Sequence, residues 1–141
     1  MAKKSTNTTE AKPDYKIRAI YIKDISFENP NAPAAFMATG KPNVSISFDI
    51  GANKLEGTAF ESVLKAEAGA KSEDGKTLFL IEISYAGIFV MNPDLGKEKV
   101  QEILAKEAPK TLLPYVRQKV AELSRDGGYS PLIIDHMEFK G

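Results

Sequence analysis

Four alternating segments followed by helical ones predict an α+β domain: a four-stranded antiparallel sheet with helices on one face. Three observations carry this reading. Up to about residue 90, apolar and polar side chains alternate with a period of two; from Gly96 the apolar spacing becomes three and four. Asp74-Gly75 stands between two alternating runs as a hairpin signal, since both central positions of a type I′ turn need φ > 0. The fourth run is apolar on both parities, so a second copy of the chain is expected to cover what the helices leave bare.

The first strand is expected over residues 15–28, with Tyr15, Ile17, Ala19, Tyr21, Ile25 and Phe27 on one parity and Lys23 interrupting it. Asn29-Pro30 and Ala32-Pro33 then impose a stiff, non-helical connector. Asn43 to Ile50 alternates most cleanly, Val44, Ile46, Phe48 and Ile50 against Ser45, Ser47 and Asp49, and Gly51-Ala52-Asn53 reads as a break. A third strand over 57–69 sets Phe60, Leu64, Ala66 and Ala68 against Glu61, Lys65 and Glu67. The fourth runs from Lys76 to about Val90, with a bend or bulge expected at Ala86-Gly87. Val100, Ile103 and Leu104 predict a short helix that Pro109 interrupts. Leu113, Val116, Val120 and Leu123 predict a second, which Pro114 starts or kinks and Gly127-Gly128 caps. The apolar end, Pro131 to Phe139, must pack on something.

At 141 residues, with 43% hydrophobic and 27% charged side chains, one domain over 15–141 is expected, preceded by a disordered polar arm over 1–14. The arm has no apolar core of a signal peptide, and no run approaches the ~20 residues of a membrane helix, so direct membrane insertion is not expected. Nineteen basic and nineteen acidic residues cancel, leaving no single-sign field for nucleic acid, and no aromatic and basic residues interleave as a platform for it. Without cysteine there is no disulfide or thiolate metal site. His136 is the only histidine, and no G-x-S-x-G elbow accompanies it. Asp24 and Glu28 could form an acid–base pair, but a solvated strand face explains them as well. No catalytic residue, metal or cofactor is expected.

The run Tyr21-Ile22-Lys23-Asp24-Ile25-Ser26-Phe27-Glu28-Asn29-Pro30-Asn31-Ala32-Pro33 resembles the opening of the SecB protein-export chaperones, Y-x-K-D-I-S-F-E-x-P-N-A-P. Phe79-Leu80-Ile81-Glu82-Ile83 and Gly87-Ile88-Phe89 are similar to the family's F-L-x-E-V and G-I-F. Pro109 through Leu113-Pro114-Tyr115-Val116-Arg117 is similar to P-x-x-L-F-P-Y-A-R, and Arg125-Asp126-Gly127-Gly128-Tyr129 stands where the family has S-x-G-x-F-P.

The resemblance implies a cytoplasmic, ATP-independent holdase, a homotetramer built as a dimer of dimers. It would keep unfolded preproteins export-competent and deliver them to the SecA motor ATPase. It assigns Asp24, Glu28, Leu80 and Glu82 to motor binding and Ile81, Ile83 and Tyr85 to the subunit interface. Phe36, Val44, Ile46, Ile88, Phe89, Leu112 and Tyr115 are candidates for the client groove. Two departures stand out. Relatives of this type are strongly acidic whereas this chain is neutral, and the sequence stops at Lys140-Gly141, where the family continues into a helix and a tail that binds the motor's zinc-containing C-terminus. These favour keeping an alternative, a SecB-like chaperone dedicated to one client such as an antitoxin.

Overall fold

In the computed structural model, which describes residues 12–135 and 139, four strands form one antiparallel sheet in the order β1-β4-β3-β2. The strands are β1 (Tyr15–Glu28), β2 (Asn43–Lys54), β3 (Ala59–Lys71) and β4 (Thr77–Met91). Helix α1 (Lys97–Glu102) passes through a π turn (Ile103–Glu107) into α2 (Ala108–Asp126). Most of the expected arm, residues 1–11, and His136 lie outside the described residues.

β4, one of the two inner strands, is the most apolar, its outer side broken only by Glu82 and Ser84. Phe79, Ile81 and Ile83 face α2 and meet Leu112, Leu113, Val116 and Val120 in the main core, together with Leu64, Ala66 and Ala68 of β3. Phe89 and Met91, further along the same face, pack with Ile103 and Ala108 in a second cluster. One face of the sheet is thereby covered by helix, and among the described residues the other is left without one.

β1 departs from simple alternation. Register shifts between Ile17 and Ala19 and between Ile22 and Asp24 are β-bulges, each adding a residue and reversing the parity. The helix-side set is therefore Tyr15, Ile17, Ile20, Ile22, Ile25 and Phe27, while Ala19 and Tyr21 turn to the outer face. Lys23, which interrupts the sequence pattern, is the second bulge residue. The pairing of β4 runs straight through Ala86-Gly87 instead. Gly87 is there for close packing: a Cβ would lie 2.9 Å from Phe89 Cε1 and 3.4 Å from Leu112 Cδ2.

The β3–β4 hairpin is longer than a two-residue turn. Ser72 N–H donates to Lys76 O at 2.9 Å and Gly75 N–H to Ser72 O at 2.9 Å, with Gly75 at φ 88°. This is the three-residue loop in which a turn is followed by a left-handed glycine. β2 likewise continues through Gly51-Ala52-Asn53, held by unbroken pairing with β3.

Pro109 does not interrupt the helix. It falls in the first turn of α2, just after the π turn has already dropped the regular bonding, so its missing N–H is tolerated. Pro114 lies inside α2 on its exposed side. The glycine cap forms as expected: Gly128 adopts φ 98°, and the N–H groups of Gly128 and Tyr129 donate to Arg125 O and Ser124 O at 3.0 and 3.1 Å.

Candidate functional site

The bare outer face of the sheet is arranged in rows by the strand register. Lys16, Val90 and Ala59 form one row; Ala19, Ile88, Glu61 and Asn53 the next; then Tyr21, Ala86, Val63 and Gly51. Beyond these come Asp24, Ser84, Lys65 and Asp49; then Ser26, Glu82, Glu67 and Ser47; then Glu28, Leu80, Gly69 and Ser45. The four residues assigned to motor binding, Asp24, Glu28, Leu80 and Glu82, thus share one end of one face. β1 and β4 are adjacent; Asp24, Ser26 and Glu28 share a parity by their even spacing, and the second bulge puts them on the same face as Ala19 and Tyr21.

Chain neutrality does not extend to that end. Asp24, Glu28, Glu67 and Glu82 lie there with Lys65 as their basic neighbour, its Nζ 3.9 Å from Glu82 Oε1 across exposed surface. Directly opposed Glu67 and Glu82 are unfavourable to each other and attract a cationic partner. Nearer the middle, Tyr21 Oη donates to Glu61 Oε2 at 2.6 Å and Lys23 Nζ to Oε1 at 3.1 Å, with Asn53 Nδ2 on the same oxygen at 3.3 Å. The Tyr21 hydrogen bond, and then Lys23 and Asn53, hold Glu61 below the ordinary carboxylate range, while burial and Glu61 push Tyr21 up to about 12. This network spends the charge of Glu61 internally.

On the helix side, the loop from β1 to β2 must pass from one edge of the sheet to the other. Asn29 Nδ2 donates to Gly127 O at 2.9 Å, Asn31 Nδ2 to Thr77 O at 2.7 Å, and Tyr129 Oη bonds Leu78 O at 2.9 Å and Asn29 Oδ1. The loop ends in a 3-10 turn, Ala34–Met37, which carries Phe36 onto Tyr129 with ring centroids 5.2 Å apart. Between this turn, the start of β2 and the segment after α2 lies a cavity of about 410 Å³, mainly apolar and open to solvent. Phe36, Val44, Leu78, Phe79, Tyr129 and Leu132 line it; Phe36 and Val44 are 47% and 49% exposed.

Of the groove candidates, Phe36 and Val44 therefore lie in this cavity, and Ile46 continues it along β2, half-buried on the same face. The others lie elsewhere, and burial removes two of them. Phe89 and Leu112 are sealed in the core because their strand and helix faces point at each other. Ile88 faces the outer surface. Tyr115 packs in a tilted pair with Tyr85, 5.6 Å between centroids, towards the β1 edge. Among the expected interface residues, Ile81 and Ile83 are 0% and 1% exposed beneath α2, so their side chains support the strand and present no contact surface. Tyr85 is partly exposed beside Ile22 of the unpaired β1 edge, where Ile17, Ile22 and Ile25 are exposed as well.

Sequence reasoning did not single out as groove candidates Leu78, Phe79, Tyr129 and Leu132, which also line this cavity. The signal for the last two was the helix cap: a chain that stops at Gly127-Gly128 and continues apolar must fold back on the sheet. Among the described residues, no group of three His, Cys, Asp or Glu side chains could hold a metal ion, and no helix is long and apolar enough to cross a membrane.

The family model described as preprotein translocase subunit SecB matches residues 8–141. The protein-export protein SecB of Rhodospirillum centenum is 44% identical over 124 residues, 87% of this chain and 73% of its own length. That of Afipia carboxidovorans is 42% identical over 132 residues, 93% of this chain and 81% of its own. In structure, the chain is similar to a SecB-like chaperone of Mycobacterium tuberculosis solved in complex with an antitoxin peptide. The TM-score is 0.74 at 16% identity, covering 88% of this chain and 91% of the other, a likeness of fold.

Proposed function

The chain belongs to the SecB family of protein-export chaperones, and we propose that it holds unfolded preproteins in the cytoplasm and hands them to the SecA motor through the acidic end of its outer face. The observation that carries the hand-over is the convergence of Asp24, Glu28, Leu80 and Glu82 on one end of one sheet face. A carboxylate cluster around one apolar side chain suits a basic partner surface with an apolar contact at its centre.

Holding needs no bond-making step and no nucleotide. Each large apolar client side chain entering the cavity between Phe36 and Leu132 contributes about 1.5–3 kcal/mol of burial, whatever its sequence context. The free edge of β2 can add backbone pairing next to Val44 and Ile46. Groove and docking surface lie on opposite faces of the sheet, so a client can stay bound while the motor attaches.

The surface left open supports pairing of copies, the first step of assembly as a dimer of dimers. β1 is an unpaired edge strand with three exposed isoleucines beside Tyr85 and Tyr115, and such an edge is normally covered. The general-export reading rests on sequence relatives at 44% and 42% identity; the dedicated-antitoxin reading has only a likeness of fold at 16%.

The test combines two assays. The protein is expected to delay refolding of a denatured substrate without nucleotide; no delay, or a requirement for ATP, removes the holdase reading. Asp24→Lys and Glu82→Lys are each expected to weaken motor binding about tenfold or more while leaving that delay intact. Unchanged affinity in both removes the docking assignment.

A further inference from the structure

We propose that the outer face is bipolar: a basic, apolar-floored end at the start of β1 receives an acidic segment of the docking partner, while the partner's basic residues meet the carboxylate end. This rests on the docking reading above and adds an orientation to it.

Lys16 opens the first row of the face beside Val90. Just beyond it is a second cavity of about 400 Å³, predominantly apolar, whose lining includes Lys12, Pro13, Lys16, Val90, Met91 and Pro93. Both lysines are exposed, and neither makes an ion pair within 4.0 Å among the described residues. Asp14, the acid between them in sequence, is instead 4.0 Å from Lys99 of α1. The two following rows are occupied by Ala19, Ile88, Ala86 and Val63, and the carboxylate among them, Glu61, is already bonded to Tyr21, Lys23 and Asn53.

The face therefore runs from basic, through apolar, to acidic. Lys16 and Glu28 are separated by roughly 40 Å at the usual rise of an extended strand, somewhat less for the bulges. A separation of that size exceeds the Debye length of about 8 Å in physiological salt several times over, so each end acts on a partner locally. Whole-chain neutrality is the sum of such regions. A uniformly basic partner would be attracted to Asp24 and Glu82 but repelled at Lys12 and Lys16. Satisfying both ends at once requires a segment with an apolar anchor and carboxylates at one end and cations at the other, which allows one docking direction and disfavours the reverse.

The experiment measures binding of the purified motor ATPase to the full chain by calorimetry at low and high salt. The double variant K12E/K16E is expected to weaken binding roughly tenfold at low salt and much less at high salt, whereas K12R/K16R keeps the wild-type value. E82K and D24K are measured in parallel, with thermal melts confirming that each variant is folded. If K12E/K16E binds as tightly as wild type or more tightly while E82K or D24K binds weakly, the bipolar face is overturned and the docking reading stands. If E82K and D24K are both without effect, the docking reading falls and the orientation with it.

Discussion

Tyr21 reaches from the edge strand β1 over β4 to donate its hydroxyl to Glu61 Oε2 on β3, at 2.6 Å. The bond ties two strands that are not neighbours, crossing β4 at the level of Ala86 and Ile88, the partners of Tyr21 and Glu61. Its stability should depend on pH at both extremes. Glu61 is held below its ordinary value of 4.5, so its contribution is complete above that value and is lost as pH falls through the depressed one. Tyr21 is raised from 10.0 to about 12, so its contribution is complete below pH 10 and lost as pH rises towards 12. Tyr21→Phe should cost about 1–2 kcal/mol at neutral pH and flatten both limbs, measured by urea unfolding across a pH series. Unaltered limbs would show that the bond contributes nothing.

A Cβ added to Gly127 would fall 2.2 Å from Phe27 Cζ, closer than any real contact. Since Asn29 also bonds Gly127 O, this glycine is where the end of β1 meets the end of α2. Gly127→Ala should destabilise by about 1–3 kcal/mol through overpacking. Gly51→Ala, where nothing lies within 4 Å, is the matched control and should be close to neutral in the same melt.

Tyr129 lines the cavity proposed to hold clients. Tyr129→Phe keeps the ring that packs on Phe36 and Phe79 but loses the bonds to Leu78 O and Asn29. The β1–β2 connector is then anchored chiefly through its other asparagine contacts. Affinity for an unfolded client, followed by fluorescence anisotropy, should fall several-fold with motor binding unchanged. A loss of both together would instead indicate general unfolding.

Sheet, helix cap and apolar face of α2 were legible because their periods are simple and their punctuation is glycine. The two bulges of β1 were not. A bulge costs one residue and leaves no compositional mark, yet it decides whether Tyr21 or Ile22 faces the helix. Lys23 in the middle of an apolar parity was the available hint. The docking residues were assigned by motif, and the register gives that assignment a shared surface. Two groove candidates fell because sequence cannot separate core from lining: Leu112 and Phe89 are apolar like Val44 and Phe36, and only burial distinguishes them. Pro109 was misleading because a π turn, itself invisible in sequence, absorbed it.

Ile22 and Ile25 are 40% and 39% exposed on the helix side of an edge strand whose other side has no partner among the described residues. Burying such a pair in a symmetric contact would contribute twice, because each residue recurs in the mate. Ile22→Lys with Ile25→Lys places four like charges around the same axis, and lysines on an edge strand are a common way to prevent pairing. The protomer itself should stay folded, since neither side chain belongs to the buried cluster that includes Ile81, Ile83 and Leu112. Sedimentation at micromolar concentration should therefore show the wild-type chain as a dimer or tetramer and the double variant as a folded monomer, with far-ultraviolet circular dichroism unchanged. A variant that keeps the wild-type mass would move the subunit contact away from β1.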